Sequence, residues 1–433
     1  MSVSYASRWG TRPLKWGALK IGSGKTPGGG SENYVSAGVI FLRSQNVHFG
    51  GLRLDDVAYI DSATHEEMRN TRVEPGDVLL NITGASLGRV AWAPDVLGEA
   101  NVNQHVCIIR PTVEFDSRYL AYALGSRPAQ EQIRELQVGG NREGLNFEQV
   151  GNLNLPSPQI DEQCRIADFL DAETARIGGL MELRKEQSRL WRERNQSFLH
   201  AQFVGGSSNC GRSTWLGSLP HGWKAPTIGR IARFAMGTTF PHEYQGLSEG
   251  DFPFIKVSDF QLADEVGNLG TAENWITRDT ARRLGARIVP SGSILYARVG
   301  AALLLNRRRV TTRPAIIDDN VRAISFADGE PHYWRAVLSL LDMGQLANPG
   351  PVPSIGEGQV ASVRVPTPPM DKQLAIAELV QSNQRNLHHV NAAIECQMGL
   401  LAERRQALIT AAVTGQFDVS TASGRNVTEG ITA

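Results

Sequence analysis

Laid over itself with a shift of 210 residues, the sequence matches without a gap over about sixty residues, 145–205 against 355–415. Gln149-Val150 falls on Gln359-Val360, Pro156 on Pro366, Pro158 on Pro368, Asp161 on Asp371, Gln163 on Gln373 and Ile166-Ala167 on Ile376-Ala377. Farther along, Gln187, Leu190, Glu193-Arg194, Gln196, Ala201 and Gly205 meet identical partners. Upstream of each copy the likeness is weaker but keeps its order: Phe41-Leu42-Arg43 faces Phe254-Ile255-Lys256, and Pro75-Gly76-Asp77-Val78-Leu79 faces Pro290-Ser291-Gly292-Ser293-Ile294-Leu295. A repeat of this length means one plan built twice, a variable block followed by a shared block.

The shared blocks read as long helices. After Pro156 and Pro158, apolar residues recur at helical spacing at Ile166, Leu170, Ile177, Leu180, Leu190, Trp191, Phe198 and Ala201. The second stripe is Ile376, Val380, Leu387, Val390, Ile394, Leu401, Leu408 and Ala411. Each run covers about 40 residues with no internal proline, which is roughly 60 Å of helix. A helix that long needs a partner, and two with matching stripes in one chain pair most simply with each other as an antiparallel coiled coil. Gly178-Gly179 is the weak point, where the first helix is expected to bend or break.

The variable blocks carry short β-rich runs, Val39–Leu42, Asp77–Leu80, Val106–Ile109 and Gly292–Tyr296, set between turns marked by Pro-Gly and Gly-Gly. The expected fold is therefore mixed α/β: two globular α/β domains, 1–155 and 215–368, joined by two long antiparallel helices within 156–205 and 369–417. A small, polar linker at 206–214 and a Ser/Thr/Gly-rich tail at 418–433 are expected to be flexible.

Known chemistries are tested by their motifs. Gly24-Lys25-Thr26 ends like a phosphate-binding loop, but Leu19 stands where its first glycine belongs, and Pro27-Gly28-Gly29-Gly30 cannot open the required helix. His65-Glu66-Glu67 is followed by Arg69 instead of a second histidine, and the four cysteines form no CxxC pair, so no metal site is expected. No Asp-x-Lys or Glu-x-Lys triplet of a metal-dependent nuclease occurs, no Asn/Asp-Pro-Pro-aromatic string of an amino-methyltransferase, and no GxGxxG. The chain reads as non-catalytic. No stretch approaches 18 consecutive apolar residues and the N-terminus has no leader pattern, so a cytoplasmic protein without membrane contact is expected.

Lys+Arg and Asp+Glu balance at 44 each, so any nucleic-acid site is a local patch rather than a bulk charge. Between Ala281 and Ile317 eight arginines, Arg298, Arg307, Arg308 and Arg309 among them, occur with no acid. Arginine binds phosphates and forks onto guanine in the major groove, although such a run is as readily a solvated face. Arg43, Gln45 and Asn46, and Asn103 with Gln104, place guanidinium and amide groups at the ends of apolar runs, where amides can read adenine or merely cap turns. Residues of the same types complete the candidate DNA-contact set: Lys25, Thr26, Asn81, Thr83, Arg89, Asn141, Arg142, Thr238, Thr239, Lys256 and Asn320.

The order of these features resembles the specificity subunit of type I restriction-modification enzymes. The carriers are Gly76-Asp77-Val78-Leu79 with Gly84 and Gly88, then Asn103-Gln104-His105-Val106, then Gly144-Leu145-Asn146 leading to Leu155-Pro156-Ser157-Pro158-Gln159-Ile160-Asp161-Glu162-Gln163 and Ile166–Asp171. The second half repeats them as Val365-Pro366-Thr367-Pro368 and opens with Trp215-Leu216-Gly217-Ser218-Leu219-Pro220 and Gly222-Trp223-Lys224. The first domain lacks that opening phrase, and Asp318-Asp319-Asn320-Val321 answers Asn103–Val106 only loosely. The resemblance implies two target recognition domains, each reading half of a split sequence in double-stranded DNA. It also implies that the helices act as a spacer and dock modification subunits, two of them, through a seam of Ile166, Leu170, Ile177, Leu180, Trp191, Phe198, Ile376, Val380, Leu387, Val390, Leu401 and Leu408. By the same resemblance this chain holds no cofactor: S-adenosylmethionine belongs to the modification subunit, ATP and Mg to the restriction/translocase subunit. The competing reading is a scaffold or decayed subunit that keeps partner docking but has lost DNA binding.

Overall fold

The computed structural model describes residues 8–137, 144–204, 213–348 and 350–421. They fall into two compact units, Met1–Arg184 with Cys396–Ala433, and Lys185–Glu395. Both are mixed α/β and repeat one plan.

In the first unit a four-stranded sheet runs in the order Ala18–Ser23, Val106–Pro111, Val78–Asn81, Val90–Trp92. A second sheet has the order Ala58–Ile60, Val39–Leu42, Ala100–Val102, Arg72–Val73. All four residues of Val78–Asn81 are buried, because the strand lies between two cores and alternate side chains feed each. Val78 and Leu80, with Cys107 and Ile109, pack on the helical layer around Tyr119, Leu120 and Leu124. Leu79, with Val106 and Ile108, packs on Leu42, Ala100 and Val102 of the second sheet. The second unit repeats this with Ala232–Met236, Val321–Phe326, Ile294–Ala297 and Arg309–Thr311, extended by Asn268–Leu269, beside a sheet of Asn274–Ile276, Phe252–Ile255 and Ile316–Ile317. Ile294 and Tyr296 face the helices, and Leu295 faces the other sheet.

The repeat extends to single hydrogen bonds. Tyr119 donates through its hydroxyl to the Pro156 carbonyl at 3.0 Å, and Tyr333 to the Pro366 carbonyl at 2.9 Å. Gln163 Nε2 donates to the Pro158 carbonyl and Gln373 Nε2 to the Pro368 carbonyl, both at 3.0 Å. A β-carbon on Gly24 would sit 1.8 Å from the Val102 carbonyl oxygen, and one on Gly237 1.9 Å from that of Asp318. Glycine is therefore required where the edge strand of each main sheet meets the loop from the other sheet.

The long helices span Ile160–Ala201 and Met370–Thr414. The first starts later than its sequence block because Asn154–Pro156 is held as a strand against Thr11–Pro13, and a proline-rich entry is extended rather than helical; both end a few residues before their blocks do. In the first unit the early part of one helix packs on the late part of the other: Ile166, Ala167 and Leu170 share a core with Leu408, Ile409, Ala412 and Val413. In the second unit Ser188 and Asn391 meet side chain to side chain at 3.1 Å, and Asn195 accepts from Asn383. The pairing is antiparallel.

Two expectations change here. Ile177 is buried but Leu180 is 41% exposed. The unexposed positions step by three and four residues, through Gln163, Ala167, Leu170, Thr174, Ile177, Met181, Arg184, Ser188, Trp191, Asn195 and Phe198. That is the 3.5-residue seam of a supercoil, and the residue before Met181 turns away from it. Gly178-Gly179 interrupts nothing: the helix is continuous, and a β-carbon at either glycine would meet nothing within 4 Å. The second helix keeps the same stepping through Gln373, Ala377, Val380, Gln384, Leu387, Asn391, Ile394, Met398, Leu401, Arg405 and Leu408, none of them exposed. Ile376, Val390, Trp191 and Phe198 are half-buried.

The presumed linker and tail are also partly ordered. Ser213–Thr214 pairs with Gly217–Ser218 as a strand. Phe417 and Val419 pack on the first core, with Arg8 bonded to Asp418 at 3.2 Å. The remainder, 206–212 and 422–433, lies outside the described residues.

Leu170, with no exposed surface, is expected to cost about 2–5 kcal/mol when replaced by Ala, whereas Leu180→Ala is expected to stay within about 0.5 kcal/mol. Urea unfolding of the full chain checks this, and equal losses at both positions would contradict the seam.

Candidate nucleic-acid interface

Most of the candidate residues gather at one end of the strands in each unit. In the first unit the Val102 and Val106 strand ends are held close: Gly24 N donates to the Val106 carbonyl at 3.2 Å, and Asn103 N to the Leu42 carbonyl at 3.0 Å. A polar chain runs across this tip. Thr26 donates to Gln104, Gln104 Nε2 lies 3.2 Å from His105 Nε2, and His105 Nδ1 meets the Thr83 hydroxyl. Lys25 and Gln104 are exposed beside it.

Three of the amides predicted to read bases are inside. Asn46 is 2% exposed, accepting from Arg43 N at 2.9 Å and donating to the carbonyls of Arg53 and Asp56. Asn81 has no exposed surface and donates to the Ser44 carbonyl at 2.8 Å. Asn103 is buried and accepts from His105 N at 3.2 Å. These side chains tie loops together, although the Asn81 Oδ1 is left without a partner among the described residues. Arg43 pairs with Asp56, which also accepts from the exposed Gln45. Arg89 is half-buried. Asn141 and Arg142 lie outside the described residues.

The second unit repeats the scaffold with unlike groups. Thr238 N donates to the Ile317 carbonyl at 2.9 Å, with Thr239 exposed next to it. Lys256 Nζ donates to Gln245 Oε1 at 3.2 Å and lies 5.2 Å from the Phe240 ring centre. Asn320 Nδ2 donates to Asp318 and Asp319. Arg298 Nε and Arg322 Nη1 both donate to the Asp319 carbonyl, each at 2.9 Å. Burial, and next the neighbouring Arg298, hold the Arg322 guanidinium below its ordinary pKa.

The Arg307–Arg309 run does not form one basic patch. Arg307 is exposed, but Arg308 is 3% exposed and donates to the carbonyls of Arg307 and Leu341 and to Asn306 Oδ1. Burial lowers the Arg308 guanidinium to about 10. Arg309 Nε donates to the Phe260 carbonyl at 2.7 Å, and burial lowers its pKa as well. The repeat supplies the reason. Strand pairing puts Arg309 opposite Leu295, where the first unit has Ala91 opposite Leu79, so Arg308 and Arg309 stand in the places of Val90 and Ala91. On the adjoining helix Arg335 stands where the first unit has Ala121, two residues beyond the matching tyrosines. With small residues there, the first unit keeps a cavity of about 630 Å³ lined by Val90, Ala91, Ala121, Tyr122 and Met181 among others. The second unit fills that space with arginine stems, capped on carbonyls and on Gln384.

Two groups at these tips escaped the sequence reading. His105 sat inside a recognised phrase but was not singled out. Arg322 lies within a β-run, Val321–Phe326, and only its register with Cys107 of the first unit marks it as unusual. Among the described residues no three His, Cys, Asp or Glu side chains gather as a metal site would require, and no helix is long and apolar enough to cross a membrane.

Comparison with known proteins bears on the fold that carries these tips. Residues 55–187 match the family described as the type I restriction modification DNA specificity domain. A solved structure from work on complex assembly and conformational transition of the type I R-M system is similar at 18% identity, with TM-score 0.71, over 95% of this chain and 100% of that one. The HsdS subunit from Thermoanaerobacter tengcongensis is similar at 18% identity, with TM-score 0.51, over 94% of this chain and 97% of its own. At such identities these two structures establish the fold.

Buried Arg308 and exposed Arg307 separate stability from surface charge. Arg308→Ala is expected to destabilise the chain by about 2–4 kcal/mol through lost packing and orphaned carbonyls. Arg307→Ala is expected to leave stability within about 0.5 kcal/mol and to lower the salt dependence of DNA binding if it meets a phosphate. Thermal unfolding together with binding titrations at several salt concentrations reads both, and a stable Arg308→Ala protein would overturn the assignment.

Proposed function

We propose that this chain, which carries the DNA specificity domain of type I restriction-modification systems over residues 55–187, is the subunit that gives such an enzyme its DNA address. Each unit reads one half of a two-part target in double-stranded DNA. One observation carries the reading: the same strand-end scaffold is built twice and dressed differently. Lys25, Thr26, Gln104 and His105 stand on one tip, and Arg298, Arg322 and Asp318–Asn320 on the other. A protein that only holds partners together has no use for two matched frames with unlike polar tips; a reader of two unlike half-sites requires them.

The long helices supply the second part of the role. Their inner residues are consumed within the chain, Ile166 in the first core and Leu170, Ile177, Val380 and Leu408 in the seam, so these hold the chain together rather than meet a partner. Leu180, Leu183, Leu190, Leu374, Leu379 and Leu400 are exposed on the same helices, and these are the apolar groups offered to docking modification subunits, two per chain. Methyl transfer and its S-adenosylmethionine then belong to those subunits, and ATP-driven movement and cleavage, with Mg, to the restriction subunits. This chain contributes no catalytic group and no cofactor.

Base-resolution mapping of methylated adenine, in cells with and without an intact copy of this chain, tests the reading. The expected result is the disappearance of methylation from a single two-part motif with a fixed gap. An unchanged methylation map, with the modification subunit present and bound to the chain, would favour a scaffold that has lost DNA recognition.

A further inference from the structure

The repeat provides an internal control for every residue at the two tips. Leu145 N donates to the Ile82 carbonyl at 2.8 Å, and Ile355 N donates to the Arg298 carbonyl at 2.9 Å. Ile82 and Arg298 therefore occupy one place in the plan. In the same way Cys107 pairs with Leu80 across the sheet as Arg322 pairs with Tyr296. The first unit builds this corner from two buried apolar side chains, Ile82 at 5% and Cys107 at 0% exposure. The plan does not need charge here, yet the second unit puts two guanidiniums side by side.

Bringing like charges together costs free energy: at Arg322 the charge of Arg298 adds to burial in lowering the pKa, and Asp319 and Glu357 offset this only in part. Their shared anchor is the Asp319 carbonyl, which accepts from Arg298 Nε and from Arg322 Nη1 at 2.9 Å each. That anchor orients both guanidinium groups, and among the described residues the Nη groups of Arg298 have no protein acceptor. The carboxylates of Asp318 and Asp319 belong to the same loop, where they accept from Asn320 Nδ2 at 3.1 and 3.0 Å and keep further lone pairs to offer. Donors and acceptors thus stand together at a strand tip.

A phosphate would suit the arginines but would meet the two carboxylates as like charges. A G·C pair suits both. Its major-groove edge presents guanine N7 and O6 as acceptors and the cytosine N4 amino group as a donor. We propose that Arg298, positioned with Arg322 by the Asp319 carbonyl, reads the guanine of a G·C pair in the half-site bound by the second unit, while the Asp318–Asp319 carboxylates accept from the cytosine amino group. This rests on the DNA-specificity reading above. The matching corner of the first unit, with Ile82 and Cys107, offers no such pair of charges, so the two half-sites differ at this position.

The test uses the full chain assembled with its modification subunits and a pool of duplexes randomised over both half-sites. Arg298→Ile inserts the residue that the first unit already accommodates, and Arg298→Gln keeps a polar group whose amide matches adenine. In the unaltered complex one G·C position of one half-site is expected to be preferred by roughly tenfold to a hundredfold. Arg298→Ile is expected to reduce that preference to less than about threefold, and Arg298→Gln to move it toward A·T. Both should leave the other half-site and the salt dependence of binding intact. Weakening at every sequence with a shallower salt dependence would show a phosphate contact and overturn the proposal, as would an unchanged motif or a half-site without G·C. If the unaltered complex selects no two-part sequence, the specificity reading itself falls and takes this inference with it.

Discussion

Burial of the seam between the two long helices is the interaction on which the rest of the molecule depends. Neither helix could stand alone, since most helical stability comes from packing one apolar face rather than from intrinsic propensity. Within the first unit the seam is also the floor of the domain core. Ile166, Ala167 and Leu170 come from one helix, Leu408, Ile409, Ala412 and Val413 from the other, and all touch the cluster around Tyr119 and Leu124. That unit therefore cannot complete its core until a segment more than two hundred residues downstream has arrived. Tyr119 shows the dependence in one side chain: its hydroxyl lies 3.0 Å from the Pro156 carbonyl and 3.5 Å from that of Val413. The chain is two units in space but not two successive segments in sequence, and removing either end would open the first unit.

The repeat makes it possible to ask which residues the architecture demands and which it only tolerates. Places filled alike in both units are demanded: the tyrosine that holds the proline-rich turn, the glutamine that caps the helix entry, the glycine pressed against a neighbouring carbonyl. Places filled differently are free, and their differences are of two kinds. Arg308, Arg309 and Arg335 fill space that the first unit leaves as a cavity, and their charge ends on carbonyls and an amide. Arg298 and Arg322 fill no such space; they replace Ile82 and Cys107 at a strand end. Equal side chains thus end in different places, one group packed into a core and the other on a half-buried strand end.

That distinction marks the limit of what the residues alone could show. The duplication, the long helices and the strand runs were legible, because each rests on a periodicity or a gapless match that local physics enforces. The placement of Leu180 was not, since after Ile177 a helical stripe allows a step of three or of four, and only packing shows that the seam steps on to Met181. The Arg307–Arg309 run misled for another reason. Composition counts charges but does not register that a strand sends alternate side chains to opposite faces, and here Arg308 points into a core. Asn46, Asn81 and Asn103 have the right chemistry for reading bases, but an amide at a strand end is as well suited to tying a loop, and burial decides between the two. Arg322 was invisible within its β-run because only the strand register sets it against Cys107.

The polar positions in the seam are a further consequence of the same logic. Ser188, Asn195, Asn383 and Asn391 are polar positions in the helix contact of the second unit, and they bond in cross-helix pairs, Ser188 with Asn391 and Asn195 with Asn383. Apolar residues in their places would bury more surface and stabilise the pair, but leucine against leucine accepts neighbouring registers almost equally. A half-buried polar group paired across the helices does not, because a slip of one turn would break its hydrogen bond. The seam gives up stability at these positions in return for a single register.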